Sequence, residues 1–269
     1  MRLAITLCAL LAVLPNSPAR AAPLAPTGKW VMDFGDTQCV AARNYGSEAK
    51  PLMLVLKQPT LGQIVQLAVI RKGGGNSKHA RQINGKIRID NGPPIKASMI
   101  VFAAQARGES IISMNMPLAQ FAAVRKGQTL SFSTEEVDET FQLTSIGPLM
   151  KIMDECVTDL TRLWNGDAAA SVRLKQLAKG DLQTIFSSDD YPDAAMTLNK
   201  TGWVSFVVLV NEQGRFADCT VIETSGVAAL DAQSCAVVVE RARFKPAIGI
   251  DGSPVKSILR QRIVWAMAN

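Results

Sequence analysis

Between Trp30 and about Thr144 the chain alternates apolar and polar residues in short runs broken by turn residues. The runs 52–56, 63–70, 82–89, 97–102, 110–114, 129–132 and 140–143 each read as strands, because a period of two sends every second side chain to one face of a pleated sheet. Gly73-Gly74-Gly75-Asn76, Asn91-Gly92-Pro93-Pro94, Arg107-Gly108 and Lys126-Gly127 stand between them as turns. Many short strands about ten residues apart argue for an antiparallel sandwich or barrel. At Gly147-Pro148 the period changes. From 149 to 164, Leu149, Ile152, Met153, Cys156, Leu160 and Leu163 follow the 3.6 spacing of a helix with one buried stripe.

Residues 166–189 read as a linker. Asn165-Gly166-Asp167 ends the preceding helix, 168–178 fits a short helix, and Gly180-Asp181 stops it. The polar run Ser187-Ser188-Asp189-Asp190 then leads to Tyr191-Pro192. Beyond it, 204–210 is a continuous β-branched run ended by Asn211-Glu212-Gln213-Gly214, and 216–223 is its return strand. That hairpin calls for Gly214 in a left-handed conformation, which only glycine takes without steric cost. Thr224-Ser225-Gly226 turns the chain into a helix over 230–243. Cys235, Val238, Val239 and Ala242 form its expected buried stripe, with Asp231 in the first turn and Arg241 and Arg243 in the last, where they complement the helix dipole. Phe244-Lys245-Pro246 closes the helix, Asp251-Gly252 turns again, and 257–267 is a long final strand. The expected fold is therefore α+β. An N-terminal antiparallel β-sandwich or barrel-like domain (22–165) ends in a helix, and a ββαβ domain (190–269) follows the linker.

Residues 1–21 read as an export signal. Arg2 precedes an apolar run over 3–14, Pro15 breaks it, and Ala19-Arg20-Ala21 offers a cleavage site. A dozen apolar residues fall short of the roughly 20 needed to span a bilayer, so the expectation is a soluble periplasmic product. The rival is a leader retained as an inner-membrane anchor. Without the leader the chain carries 27 basic and 23 acidic residues, an excess too small to indicate nucleic-acid or membrane binding by itself. The one local excess, Arg71, Lys72, Lys78, Arg81, Lys86 and Arg88, reads as a solvated hairpin face.

Cys8 lies in the leader. Cys39, Cys156, Cys219 and Cys235 remain, and an even count in an exported protein points to disulfides. Of three possible connectivities, Cys39 with Cys156 and Cys219 with Cys235 keep each bridge inside one domain. A zinc site is the alternative, but no CxxC spacing occurs and His79 is the single histidine. No metal and no cofactor is expected.

The ordered set Tyr191-Pro192, Gly202-Trp203-Val204, Asn211-Glu212-Gln213-Gly214, Glu223-Thr224-Ser225-Gly226, Leu230-Asp231, Arg243-Phe244-Lys245-Pro246-Ala247 and Asp251-Gly252-Ser253-Pro254-Val255 resembles the C-terminal domain of TonB-type energy transducers. It also resembles a variant of that domain with a strand cysteine and a helix cysteine, here Cys219 and Cys235. The likeness covers about 190–268. It implies a protein-binding domain that pairs an extended segment of a partner, such as a TonB-dependent outer-membrane receptor, with the edge of its sheet. The implied edge is the last strand, with Lys256, Ile258, Arg260, Arg262 and Val264 as candidate contacts. Self-pairing of that edge would give a homodimer. Energy transducers carry an uncleaved membrane helix and a proline-rich spacer, and a β domain stands here in the spacer's place. The likeness thus implies an adaptor more readily than an anchored transducer. Phe132-Ser133-Thr134, Phe141-Gln142-Leu143 and Ile152-Met153-Asp154-Glu155-Cys156 are similar to invasion-associated locus B proteins, and no function rests on that similarity.

Catalytic chemistry finds little support. Asp33-Phe34-Gly35 lacks the glycine-rich loop a kinase needs, and 73–75 is followed by no helix that could hold a phosphate. Thr224-Ser225-Gly226 lacks the frame of a nucleophile elbow, so His79 and Ser225 are the only candidates for an envelope hydrolase. Glu135, Glu136, Asp138 and Glu139 read as a solvated turn, and Met114, Met116, Met150 and Met153 as core filling. The expectation is a non-enzymatic protein binder.

Overall fold

A computed structural model describes residues 22–61, 64–73, 80–182 and 184–267. The leader, His79 and Lys78 lie outside the described residues. The N-terminal part contains β1 (Val31–Phe34), β2 (Gln38–Gly46), β3 (Pro51–Pro59), β4 (Ile64–Lys72), β5 (Arg81–Ile89), β6 (Ile95–Ala104), β7 (Glu109–Pro117), helix α1 (Leu118–Val124), β8 (Thr129–Ser133), β9 (Asp138–Gln142) and helix α2 (Ile146–Leu163). The nine strands form one antiparallel sheet in the order β1-β2-β3-β4-β7-β6-β5-β8-β9. It curls until its ends meet. The Leu24 amide donates to the Thr140 carbonyl, the Gln142 amide to the Leu24 carbonyl, and the Thr27 amide to the Asn44 carbonyl. Residues 24–27 thereby bridge β9 and β2, and the Tyr45 hydroxyl adds a direct bond to the Gln142 carbonyl at 2.8 Å. Closure spares both strands an unpaired edge.

The inward side chains of every strand and the buried stripe of α2 share one core. Tyr45, Phe132 and Phe141 meet edge to face in it, with centroids 5.0 and 6.0 Å apart. The Cys39–Cys156 disulfide ties β2 to α2, and the Trp164 indole donates to the Asp36 carbonyl at 2.7 Å.

Local patterning missed several elements here. Cys39 lies on an early strand, β2, whose alternation is masked in the sequence because Arg43 occupies an inward position. It is 8% exposed, and its guanidinium donates to the Gly28 and Thr144 carbonyls and lies over Trp30. The charge is accommodated by hydrogen bonds and a π face. Helix α1 was unforeseen as well. In α2, Ile146 and Met150 are buried, whereas the expected Ile152 and Leu163 are 41% and 47% exposed. The cations Arg71 and Arg81, read as solvated, pair with the carboxylates of Glu136 and Glu135, so two charge runs of the sequence answer one another.

The chain continues through helix α3 (Ala170–Arg173), β10 (Leu174–Gln176), β11 (Lys179–Gly180), helix α4 (Asp193–Thr197), β12 (Gly202–Val210), β13 (Phe216–Glu223), helix α5 (Ala228–Arg241), β14 (Phe244–Lys245), β15 (Ala247–Gly249), β16 (Pro254–Val255) and β17 (Ser257–Trp265). The main C-terminal sheet has the order β13-β12-β17, with α5 across one face. The expected helix over 168–178 is only the single turn α3. After it the chain straightens, and β10 pairs with β15 and β11 with β14. Leu174, Ala178 and Leu182 enter the second core, and that burial outweighs the helix preference of so short a segment. In α5 the buried face is Ala229, Leu230, Asp231, Ser234, Val237 and Val238. The expected Val239 is 56% exposed, Cys235 is half-buried, and Arg243 lies beyond the helix end. The disulfide Cys219–Cys235 joins β13 to α5.

The two parts dock. Leu209, Ala217 and Ile258 of the C-terminal sheet pack against the N-terminal core. The Ala228 and Ala229 amides at the start of α5 donate to Ser98 Oγ and Gln82 Oε1 of the N-terminal sheet. Side chains of one part thus satisfy helix-end donors of the other. Burial pushes the Asp218 carboxyl of this interface above its ordinary pKa, opposed by Lys57.

Candidate protein-binding edge

The strand β17 is built to form the sheet's rim. Alternation sends Leu259, Ile263 and Trp265 into the core under α5, while Ile258, Arg260, Arg262 and Val264 take the opposite face. Its register with β12 runs without a break from Ser257 opposite Val210 to Trp265 opposite Gly202. Among the described residues it pairs with β12 alone, so its other side carries no strand. Two cations flank the centre of this free side, a common protection against aggregation.

The candidate contacts divide three ways. Lys256 precedes β17, and its ammonium lies 5.2 Å from the Trp164 ring centroid. Its carbonyl accepts a bond from Asn165. Ile258 packs on the N-terminal core. These two belong to the junction between the parts and not to the open rim. Arg262 reaches inward across the sheet: its guanidinium lies 4.3 Å from the Trp203 centroid and donates to Glu223 at 3.0 Å and Ser205 Oγ at 3.1 Å. Hydrogen bonds from Ser205 and Arg262 hold the Glu223 carboxyl below the usual range. Arg260 is exposed and has no ion pair among the described residues. Val264 is 72% and Trp203, opposite it on β12, 44% exposed. The open rim is therefore Arg260 and Val264, backed by Trp203, with Arg262 held across the sheet by Glu223 and Ser205.

The motif residues hold this sheet in shape. Gly214 has φ +69°, and a Cβ there would meet the Phe244 carbonyl oxygen at 2.7 Å and the Pro246 ring at 3.1 Å. A side chain at Gly202 would press on Ser225, at 3.0 Å. Gly226 and Gly252 take positive φ in their turns. Tyr191 stands edge to face with Trp265 at 5.5 Å and donates its hydroxyl to the Lys200 carbonyl. Pro192 precedes α4, Leu230 is fully buried, and Phe244 is the partner of Gly180. Asp231, 3% exposed, accepts bonds from Thr224 Oγ1, the Ser225 amide and hydroxyl, and Asn115 of the N-terminal sheet. Ser225, the candidate nucleophile, is thus engaged in pinning the turn before α5.

Asp190 stands in a polar run of the sequence, yet it is 5% exposed. Arg241 donates to both its oxygens at 2.7 and 2.8 Å, and the Ser187 amide adds a third bond. The Arg241 bonds hold its carboxyl below the usual range. Because the folded pKa is depressed, this stabilisation is complete above the unfolded carboxylate pKa of about 3.9 and disappears as pH falls through the folded value. Asp190→Asn should therefore lower the melting temperature at pH 7, with the deficit shrinking on acidification below pH ~4. Thermal melts of both proteins across that range check it. Arg241 at the end of α5 was legible as a dipole partner; the carboxylate that meets it was not.

The C-terminal sheet carries no further strand beyond β17 or beyond β13 among the described residues, and α5 lies across one of its faces. Residues 187–267, about three-tenths of the chain, match the family model of the Gram-negative bacterial TonB protein C-terminal. This segment is a TonB C-terminal domain, of a family that binds proteins and is not an enzyme family. Comparison with curated proteins and with solved structures returned no match. Among the described residues no helix is long and apolar enough to cross a membrane.

Proposed function

We propose that this protein is a periplasmic adaptor that captures an extended segment of another envelope protein by adding it as a fourth strand beside β17. The observation that carries this reading is the one-sided pairing of β17, whose core-facing side chains are packed while Arg260 and Val264 stay exposed on its other face. An added strand gains main-chain hydrogen bonds along the rim, and its alternate side chains meet that row. A TonB-dependent outer-membrane receptor is the partner class that the domain family supports. The N-terminal sheet covers the Leu209 and Ile258 end of the module's second face, which leaves the Trp203 and Val264 end for contact.

The test is a titration of the exported chain with synthetic peptides from the periplasmic segments of such receptors, read by amide hydrogen exchange. Binding with new protection confined to residues 258–265 is the expected result. No binding at high micromolar concentration, or protection elsewhere only, would overturn it.

A further inference from the structure

The segment joining the two parts carries a surface separate from the β17 rim. After the turn α3, residues 174–180 run antiparallel to 244–249 as a narrow ribbon, with β16 on the far side of β15. The Ile250 amide donates to the Arg173 carbonyl, Leu174 stands opposite Gly249, Gln176 opposite Ile248, and Lys179 opposite Lys245. Its two sides differ in chemistry. Leu174, Ala178 and Ala247 face the C-terminal core, whereas Lys175, Leu177, Lys179 and Lys245 are exposed.

At one end Val172 and Ile250 are each 71% exposed, and Leu177 between the lysines is 65% exposed. Values this high belong to projecting side chains and not to the walls of a pocket. Like charges directly opposite each other weaken a strand pair, and Lys179 faces Lys245 in just that way. None of the three lysines makes an ion pair among the described residues. In the flanking sequence Asp167 is bound to Arg173, Asp251 accepts from the Ser253 amide and hydroxyl, and Asp181 accepts from the Thr184 amide.

We infer that this ribbon is a docking surface for an anionic lipid bilayer. Projecting aliphatic tips need a soft apolar medium that closes around them, and lysines beside them place ammonium groups at headgroup level while their stems lie along the apolar boundary. Acidic headgroups supply counter-charge to three exposed lysines that make no ion pair among the described residues. A shaped protein partner would instead meet a groove or a flat apolar face. The contact is peripheral, reversible and weakened by salt. It leaves the β17 rim accessible, since ribbon and rim are different elements.

The experiment is co-sedimentation of residues 22–269 with vesicles of phosphatidylglycerol mixed with phosphatidylethanolamine, against vesicles of phosphatidylcholine alone. The expected result is binding to the anionic vesicles only, with release at high salt. Lys175→Glu, Lys179→Glu and Lys245→Glu together should weaken it by about tenfold or more, and Leu177→Asp should weaken it separately, with unchanged melting temperature in both variants. Sedimentation on neither vesicle, equal sedimentation on both, or undiminished binding by either variant would overturn the assignment. So would binding to soluble polyglutamate without binding to anionic vesicles, which would mark the surface as one for acidic protein.

Discussion

Replacing Cys39 and Cys156 by alanine should cost the N-terminal part about 4 to 5 kcal/mol, the loss that the chain-entropy relation gives for a very long closed loop. The bridge spans 117 residues, so without it the unfolded chain regains nearly the whole freedom of the sheet. The bridge also fixes α2 over a core that the helix must cover, and Trp164 at its end bonds to Asp36 beside the same strand. Denaturant melts should show one transition moved to lower denaturant while the C-terminal transition follows it only through the docked interface. Removing Cys219 and Cys235, 16 residues apart, should cost less, roughly 3 kcal/mol on the same relation. Equal losses from both pairs would contradict loop entropy as the source.

Arg260→Glu should convert the rim of β17 into a self-complementary edge. Two copies of β17 pairing antiparallel about Gln261 bring Arg260 opposite the other copy's Arg262, twice, on one face. Centring the pair on Arg260 or on Arg262 instead sets each of those arginines against itself. All three central registers therefore place like charges directly opposite, which disfavours pairing. With glutamate at 260, the register about Gln261 gains two opposite-charge pairs and keeps Leu259 facing Ile263. At roughly 1 kcal/mol for each reversed pair, dimerisation should strengthen by about tenfold or more. Sedimentation velocity over a concentration series reads the change. A variant no more associated than its parent would show that charge does not govern the rim.

The C-terminal domain was readable because its constraints are local. A left-handed turn needs Gly214, a β-branched run makes β12, and the order of Tyr191, Ser225, Asp231, Phe244 and Pro246 is specific as a set. Even there, periodicity set Val239 in the core when Val237 is the buried residue. A helix pattern defines a stripe only to within part of a turn, and the neighbouring sheet chooses among its borders. Of the five rim candidates, the alternation of β17 correctly grouped four on one face. It had no means of knowing that the N-terminal core covers Ile258 or that Trp164 receives Lys256.

By itself the sequence determined the strand-rich N-terminal part, the ββαβ order that follows, the turns that demand glycine, and a rim strand bearing arginines. These depend on backbone conformation and on residues near each other in the chain. Tertiary structure alone decided the closure of the curled sheet through residues 24–27, the inward Arg43, the Asp190–Arg241 pair and the capping of α5 by Ser98 and Gln82. Each joins groups that are remote in sequence and whose burial is tolerable only once the partner has arrived, so no local pattern announces them.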